Sequence, residues 1–404
     1  MANYLKKATY SFLFLGIICL PFSYDLLSFH RQLINGIFAD FCGRIFTNWS
    51  GVILTNTEIT SDSATMFVLI FFLIGLSFLT AFIPDFFKKW NIKSDGIYYS
   101  LKLIFTFFLA LILLKYGFQK LLKWQFYLPE PNILYTPFGK LDKDILFWST
   151  MGISRNYSIF MGVLELIPAI FLLFRKTRVI GLLISLPVLI NIVAINFSFG
   201  ISVKIFSLFL LSLNLCLLFP HLKTLFQFLV LNRKIALPKP FIILKKQLVL
   251  KVILKTFLIG IIFLEVLFPY FKAMNFNDDL AARPYLHGAY EVAGILKNEQ
   301  PFSLDSFSIK RIFIHRNGYL IFQNKKEEMQ DFKLEINQQK GQFILTNYDL
   351  KQRKLAYQFI TANRILELEY PFENELLKLK MKQLNWQKSP ALENNFHWNI
   401  ESVE

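Results

Sequence analysis

Cysteine is scarce in this chain. Cys19, Cys42 and Cys216 are the three among 404 residues. None forms a C-x-x-C pair and none falls after residue 285, so neither a disulfide framework nor a thiol redox motif has support. Acids are also few, 28 Asp and Glu against 44 Lys and Arg. Up to residue 284 the balance is 28 basic to 13 acidic; from Tyr285 onward it is 16 to 15. The basic excess therefore belongs to the apolar part of the chain. That is the signature of the positive-inside rule, and it argues against nucleic acid as a partner. The five histidines are His30, His221, His287, His315 and His397. None lies inside a long apolar run, so a haem held between intramembrane histidines lacks its ligands. No Cys/His cluster has metal-ligand spacing, and no phosphate loop or dinucleotide turn is present.

Apolar residues are plentiful, 54% of the total, with 46 Phe. This is membrane-protein composition. Seven apolar runs read as spans: residues 8–23, 65–83, 97–114, 157–174, 179–197, 204–219 and 252–271. No small-x-small cleavage site follows the first run, which is read as an uncleaved helix. Between the first two runs, Leu33, Ile37, Phe38, Phe41 and Ile45 recur at helical spacing with Arg31, Asp40 and Arg44 among them. That pattern predicts an amphipathic helix on the membrane surface. Basic clusters at Lys6–Lys7, at Lys88, Lys89 and Lys93, at Arg175, Lys176 and Arg178, and seven Lys and Arg between His221 and Lys251 all fall on one side. They place the N-terminus in the cytoplasm and the C-terminal domain outside.

From Gly288 the period changes to two. Leu377, Leu379 and Met381 alternate with lysines; Phe332, Leu334 and Ile336 alternate, as do Leu355, Tyr357 and Phe359, and Leu366, Leu368 and Tyr370. Turn signals stand at Asn317-Gly318, Lys340-Gly341 and Asn363-Arg364. Eight or nine short strands of this kind predict an up-and-down barrel or a curved meander. Asn-Gly predicts a type I′ hairpin. His397-Trp398 is read into a last strand with Phe396, Trp398 and Ile400 facing inward. The opening Gly288-Ala289-Tyr290 resembles a lipocalin start.

The domain reading is thus 1–96 for an N-terminal two-helix membrane region, 97–220 for a four-helix membrane core and 221–251 for a basic interfacial segment. Residues 252–272 form a seventh span, and 285–404 a β-barrel-like domain.

The candidate site residues are polar groups within or beside the core spans. Glu165 sits mid-span, where a carboxyl is costly. Two readings stand for it: a buried group that locks helices together, or a proton carrier or ligand contact. Its candidate partners are Lys120, Arg155 and Lys204, each near a helix end. Asn191 and Asn196 suit interhelical amide bonds. Lys204 also suits an interface anchor. Gly117 and Gly162 suit close helix contact.

Several of these residues carry a resemblance. Tyr116-Gly117-Phe118-Gln119-Lys120 resembles the Gly-x-x-Lys motif of the DoxX-like membrane family. Met151 to Tyr157, with Gly162 and Glu165, is similar to that family's second helix, and Asn196 with Lys204 to Ser207 to the turn into its last. The likeness covers about residues 97–220. Phe396-His397-Trp398-Asn399 resembles the end of longer bacterial members with an extra outer domain. The resemblance implies a four-helix core in the bacterial inner membrane, in a family sometimes linked to quinone or thiol redox complexes. The expected function is to bind or pass a lipid-like or quinone ligand, with an outer barrel that takes an apolar small molecule or an envelope protein partner. The alternatives are a membrane subunit of a quinone-linked oxidoreductase and a structural docking subunit.

Overall fold

The structure is a computed structural model that describes residues 2–22, 24–26, 28–81, 94–234, 248–302, 307–372 and 375–393. It divides into two compact units: Met1–Gln125 with Tyr157–Phe276, and Phe126–Asn156 with Asn277–Glu404. The connection 126–156, which sequence reading kept with the core at 97–220, therefore packs with the barrel.

The first unit is helical: α1 (Ala2–Cys19), α2 (Phe29–Ser50), α3 (Ala64–Thr80), α4 (Ser94–Leu121), α7 (Arg155–Leu173), α8 (Arg178–Ser198), α9 (Lys204–Leu229) and α10 (Leu248–Ala273). The intervening α5 (Pro131–Leu134) and α6 (Lys143–Ile153) belong to the second unit. Among the described residues five helices, α4 and α7 to α10, are long and apolar enough to cross a membrane. The sequence count of seven is thus met for five. The other two expected spans are α1, with 18 residues, and α3, with 17. Lys88, Lys89 and Lys93 lie outside the described residues, as do residues 235–247 of the basic segment. Pro220, taken as the end of the core, lies inside α9, which runs on to Leu229.

Helix α4 is the centre of this unit. Half of its apolar window is buried in protein, against 17% for α10. Phe105, Leu109 and Leu114 of α4 are fully buried, in one core with Leu69 and Leu73 of α3, Leu213 of α9 and Val266 of α10. The ring of Phe209 fills the space that a Cβ on Gly16 would need. Helix α2 packs its Ile34, Cys42 and Gly43 inward, while Leu33, Ile37, Phe41 and Ile45 stay exposed in a row. An exposed polar row runs beside it through Gln32, Asp40, Arg44 and Asn48.

Among the described residues of the second unit nine strands form one antiparallel sheet: β1 (Gly288–Lys297), β2 (Gln300–Pro301), β3 (Ile309–His315), β4 (Tyr319–Asn324), β5 (Met329–Asn337), β6 (Gln342–Thr346), β7 (Gln352–Ile360), β8 (Ile365–Phe372) and β9 (Glu375–Leu384). Each strand from β3 to β9 pairs with its sequence neighbour, and β9 pairs back onto β1. The result is a closed eight-stranded barrel with β2 as a short extension of β1. Closure removes the exposed edges an open sheet would carry. The alternation read from sequence is the inside-outside pattern: Leu377, Leu379 and Met381 are fully buried between more exposed lysines. The inward residues fill the barrel as one core, with Tyr290, Phe343, Leu366, Leu368 and Leu320 all at zero exposure. Eight strands leave an interior about wide enough for side chains to fill.

The turn at Asn317-Gly318 is in place but of another type. His315 pairs with Tyr319, so the loop holds three residues, 316–318. Gly318 alone takes positive φ, +74°, and its N–H donates to His315 O at 3.1 Å. This is the three-residue solution, a turn followed by one left-handed residue, in place of type I′. The expected last strand through Phe396, Trp398 and Ile400 lies outside the described residues.

Candidate functional site

Helices α4 and α7 meet backbone to backbone. A Cβ on Gly162 would lie 2.8 Å from Gly117 O and 3.0 Å from Leu121 N; one on Gly117 would lie 2.8 Å from Leu166. Ser158 donates to Lys120 O at 2.9 Å. As residue number rises on α7 it falls on α4, so the two helices run antiparallel. The close approach brings Lys120 over Glu165. The Lys120 ammonium donates to both carboxylate oxygens, at 2.8 and 2.9 Å. Glu165 is fully buried and Lys120 is 5% exposed. The neighbours of Glu165 on its own helix, Met161, Pro168 and Leu172, are buried with it.

The other sequence candidates are elsewhere. Lys204 does not meet Glu165. Its ammonium donates to Ile201 O at 3.0 Å and stands 3.7 Å from Asp62. Asp62 also accepts the backbone N–H groups of Lys204 and Ile205, at 2.9 and 3.0 Å. A carboxylate there satisfies orphan donors of α9 and the positive end of its dipole. Asn196 is buried in α8, and its amide nitrogen has no partner among the described residues. Asn191 and Arg155 are exposed. The interhelical amide bond belongs to Asn214 on α9, which donates to Leu182 O at 3.3 Å and to Ser185 Oγ on α8.

Sequence reasoning passed over a second polar group. Glu265, in the C-terminal half of α10, is 5% exposed. It accepts the N–H groups of Asp25 and Leu26, at 2.5 and 2.9 Å. Lys115 of α4 reaches Asp25 at 2.6 Å and Glu265 at 3.8 Å. No local spacing links residues 25, 115 and 265, so only the fold could show them.

A cavity of about 170 Å³ opens beside this cluster. Phe22, Ile59, Met66, Ile112, Val203 and Phe206 give it apolar walls, while Arg31, Thr60, Ser61, Lys115, Tyr116 and Gln119 give it polar ones. Tyr116 is common to cavity and buried pair, since the Lys120 ammonium lies 5.6 Å from its ring centre. The volume resembles a cavity of roughly 150 Å³ that holds one benzene ring. It admits a single ring or a small head group. Both cations in its wall are already paired, Lys115 as above and Arg31 with Glu58 at 3.3 Å. With three carboxylates around two cations, the surroundings do not attract an anion. They offer hydroxyl and amide groups to an uncharged polar head. Among the described residues no cluster of His, Cys, Asp and Glu could hold a metal.

Over 119 residues the chain is 34% identical to the uncharacterized protein YwoB of Bacillus subtilis (strain 168). The matched stretch is 30% of this chain and 75% of YwoB. The chain belongs to the family of YwoB. No family model matches it, and no solved structure matches it either. Kinship with YwoB supplies no activity, because YwoB is itself described only as uncharacterized. For this YwoB relative the argument about function rests on the cavity and the buried pairs.

Proposed function

We propose that this is a DoxX-like protein of the bacterial inner membrane that binds an uncharged amphiphile, quinone or lipid-like, in the cavity beside Tyr116. The cavity carries the reading: one ring in volume, apolar on one side, donor-rich on the other, with its cations neutralised. The C-terminal end of α1, the N-terminal ends of α3 and α9, and the C-terminal end of α4 supply its walls. Four ends meeting there fit helices of alternating direction, which supports α1 and α3 as further spans and a total of seven. Five or seven crossings both put the N-terminus and the barrel on opposite sides. The basic residues at Lys6, Lys7, Arg175, Lys176 and Arg178 favour a cytoplasmic N-terminus and a periplasmic barrel.

Substituting Ile112→Phe would fill the cavity from α4. Mass spectrometry of protein purified in mild detergent then decides. The expected result is a small-molecule complement present in the wild type and depleted in the variant, with thermal stability kept. Equal complements in both proteins would sink the proposal. For the barrel, its filled interior favours docking a protein partner over enclosing a ligand.

A further inference from the structure

Residues 126–156 lie against the barrel as a strap. Tyr135 stacks on Phe313, with ring centres 6.1 Å apart, and accepts at its carbonyl from Gln323, itself fully buried, at 3.1 Å. Leu128 N–H donates to Asp279 at 3.0 Å. The firmest hold is at Glu130, which caps α5 and is 4% exposed. Its carboxylate meets His287 Nε2 at 2.8 Å, His315 Nε2 at 4.0 Å and Arg316 Nε at 3.7 Å. It also accepts the Arg316 backbone N–H at 3.4 Å. Arg316 in turn reaches Asp278 at 2.6 Å, and Arg283 reaches the same oxygen at 3.4 Å. The Arg316 guanidinium lies 4.1 Å over Tyr127 of the strap. Trp386 packs edge-on against His287, and Tyr319 against His315.

Charge counting shows what this cluster does as pH falls. With neutral imidazoles, Glu130 and Asp278 balance Arg316 and Arg283. A proton on His315 leaves the cluster with a surplus positive charge among buried and half-buried groups. His315 resists it: burial holds its imidazole below the usual range, Glu130 works the other way, and Arg316 and His287 add to the depression. Its Nδ1 accepts from Asn317 N–H at 3.1 Å, so a proton there also breaks a bond of the β3–β4 turn. Burial raises the Glu130 carboxyl, but His287, His315 and Arg316 together outweigh it and hold it below its usual range.

We propose that Glu130, His287, His315 and Arg316 form an acid-releasable clasp that ties the strap between α4 and α7 to the barrel, with His315 as the sensor. The sign is fixed by linkage. Both His315 and Glu130 bind protons less readily in the clasped form, so the clasp is intact above the usual histidine range of about 6.5 and weakens below it. Glu130 adds to the loss only below the usual carboxylate range of about 4.3. The strap is continuous in chain with α4 and α7, which carry Lys120 and Glu165.

Hydrogen exchange on the full chain in detergent, from pH 7.5 to 5.0, tests this. Rates are corrected for the intrinsic pH dependence of exchange. Strap peptides around Leu128 are expected to open more as pH falls, approaching about tenfold per pH unit for uptake of one proton. Peptides of β5 to β7 should stay protected. His315→Gln should flatten the response, and Glu130→Gln should open the strap already at pH 7.5. A flat wild-type response, an unchanged slope in His315→Gln, or simultaneous opening of strap and barrel would each overturn the proposal.

Discussion

Glu165→Gln is the sharpest perturbation of the helical unit. It removes the carboxylate that holds the Lys120 ammonium by two bonds, at 2.8 and 2.9 Å, at a site without water access. The lysine is left buried without its carboxylate partner. Breaking a buried pair from one side costs about 3–5 kcal/mol. A loss of about 3–5 kcal/mol is expected. The double variant Lys120→Met with Glu165→Met removes both charges and keeps the volume. It should return to within about 1 kcal/mol of the wild type or exceed it. Unfolding in mixed micelles of rising SDS fraction measures all three proteins. A wild-type midpoint for Glu165→Gln, or a double variant as weak as the single, would refute the reasoning. The same proteins separate the two roles of Glu165. If the stable double variant keeps the copurifying small molecule, the pair is a helix lock; if it loses it, the pair serves the site.

Two further outcomes follow from the packing. Asp62→Ala removes both acceptors at the start of α9 and should cost about 0.5–2 kcal/mol, measured by the same unfolding assay, with Asp62→Asn milder because one oxygen remains. Gly162→Ala places a Cβ 2.8 Å from Gly117 O, a backbone atom that cannot turn aside, and should cost about 1–3 kcal/mol. Gly36→Ala, where nothing lies within 4 Å, is the control and should be neutral or slightly stabilising.

The fold was legible where the signal is periodic. Alternation in β5 and in β7 to β9 is a direct consequence of a filled interior and a wet exterior; it predicts eight or nine strands in a barrel or a curved meander, and the pairing of β9 with β1 decides for the barrel. Apolar length marked α4 and α7 to α10 for the same reason. The turn at Gly318 was legible in position but not in type. The deciding fact is the pairing of His315 with Tyr319, which depends on the register of two strands. Glu165 stood out because a carboxyl in an apolar run needs a cause. Its partner could not be chosen from Lys120, Arg155 and Lys204, because the choice depends on the Gly117–Gly162 crossing. Lys204 is taken by Asp62, 142 residues away. Glu130, His287 and His315 gave no signal, since each is ordinary in its own segment and the cluster exists only after the strap meets the barrel.

The polar groups of the helical unit share a logic that bears on its function. Lys115, Asp25 and Glu265 join α4 to the segment after α1 and to α10; Asp62 and Lys204 join the α2–α3 connection to α9. Each is a seam between elements remote in sequence, and each lies where helix ends meet around the cavity. In an apolar surrounding such seams hold only when every charge is answered. Lys115 is therefore committed to structure, and Arg31 is held by Glu58 in a more exposed pair. On the proposed reading, recognition at the cavity would fall to Tyr116, Gln119, Thr60 and Ser61, whose hydroxyl and amide groups read hydrogen-bonding shape rather than charge. Added salt should then leave ligand occupancy unchanged, whereas an anion held by Arg31 or Lys115 would be lost as screening rises. Ligand retained per protein after washing the detergent-bound protein at low and high ionic strength decides between them, and salt-dependent loss would reassign recognition to the two cations.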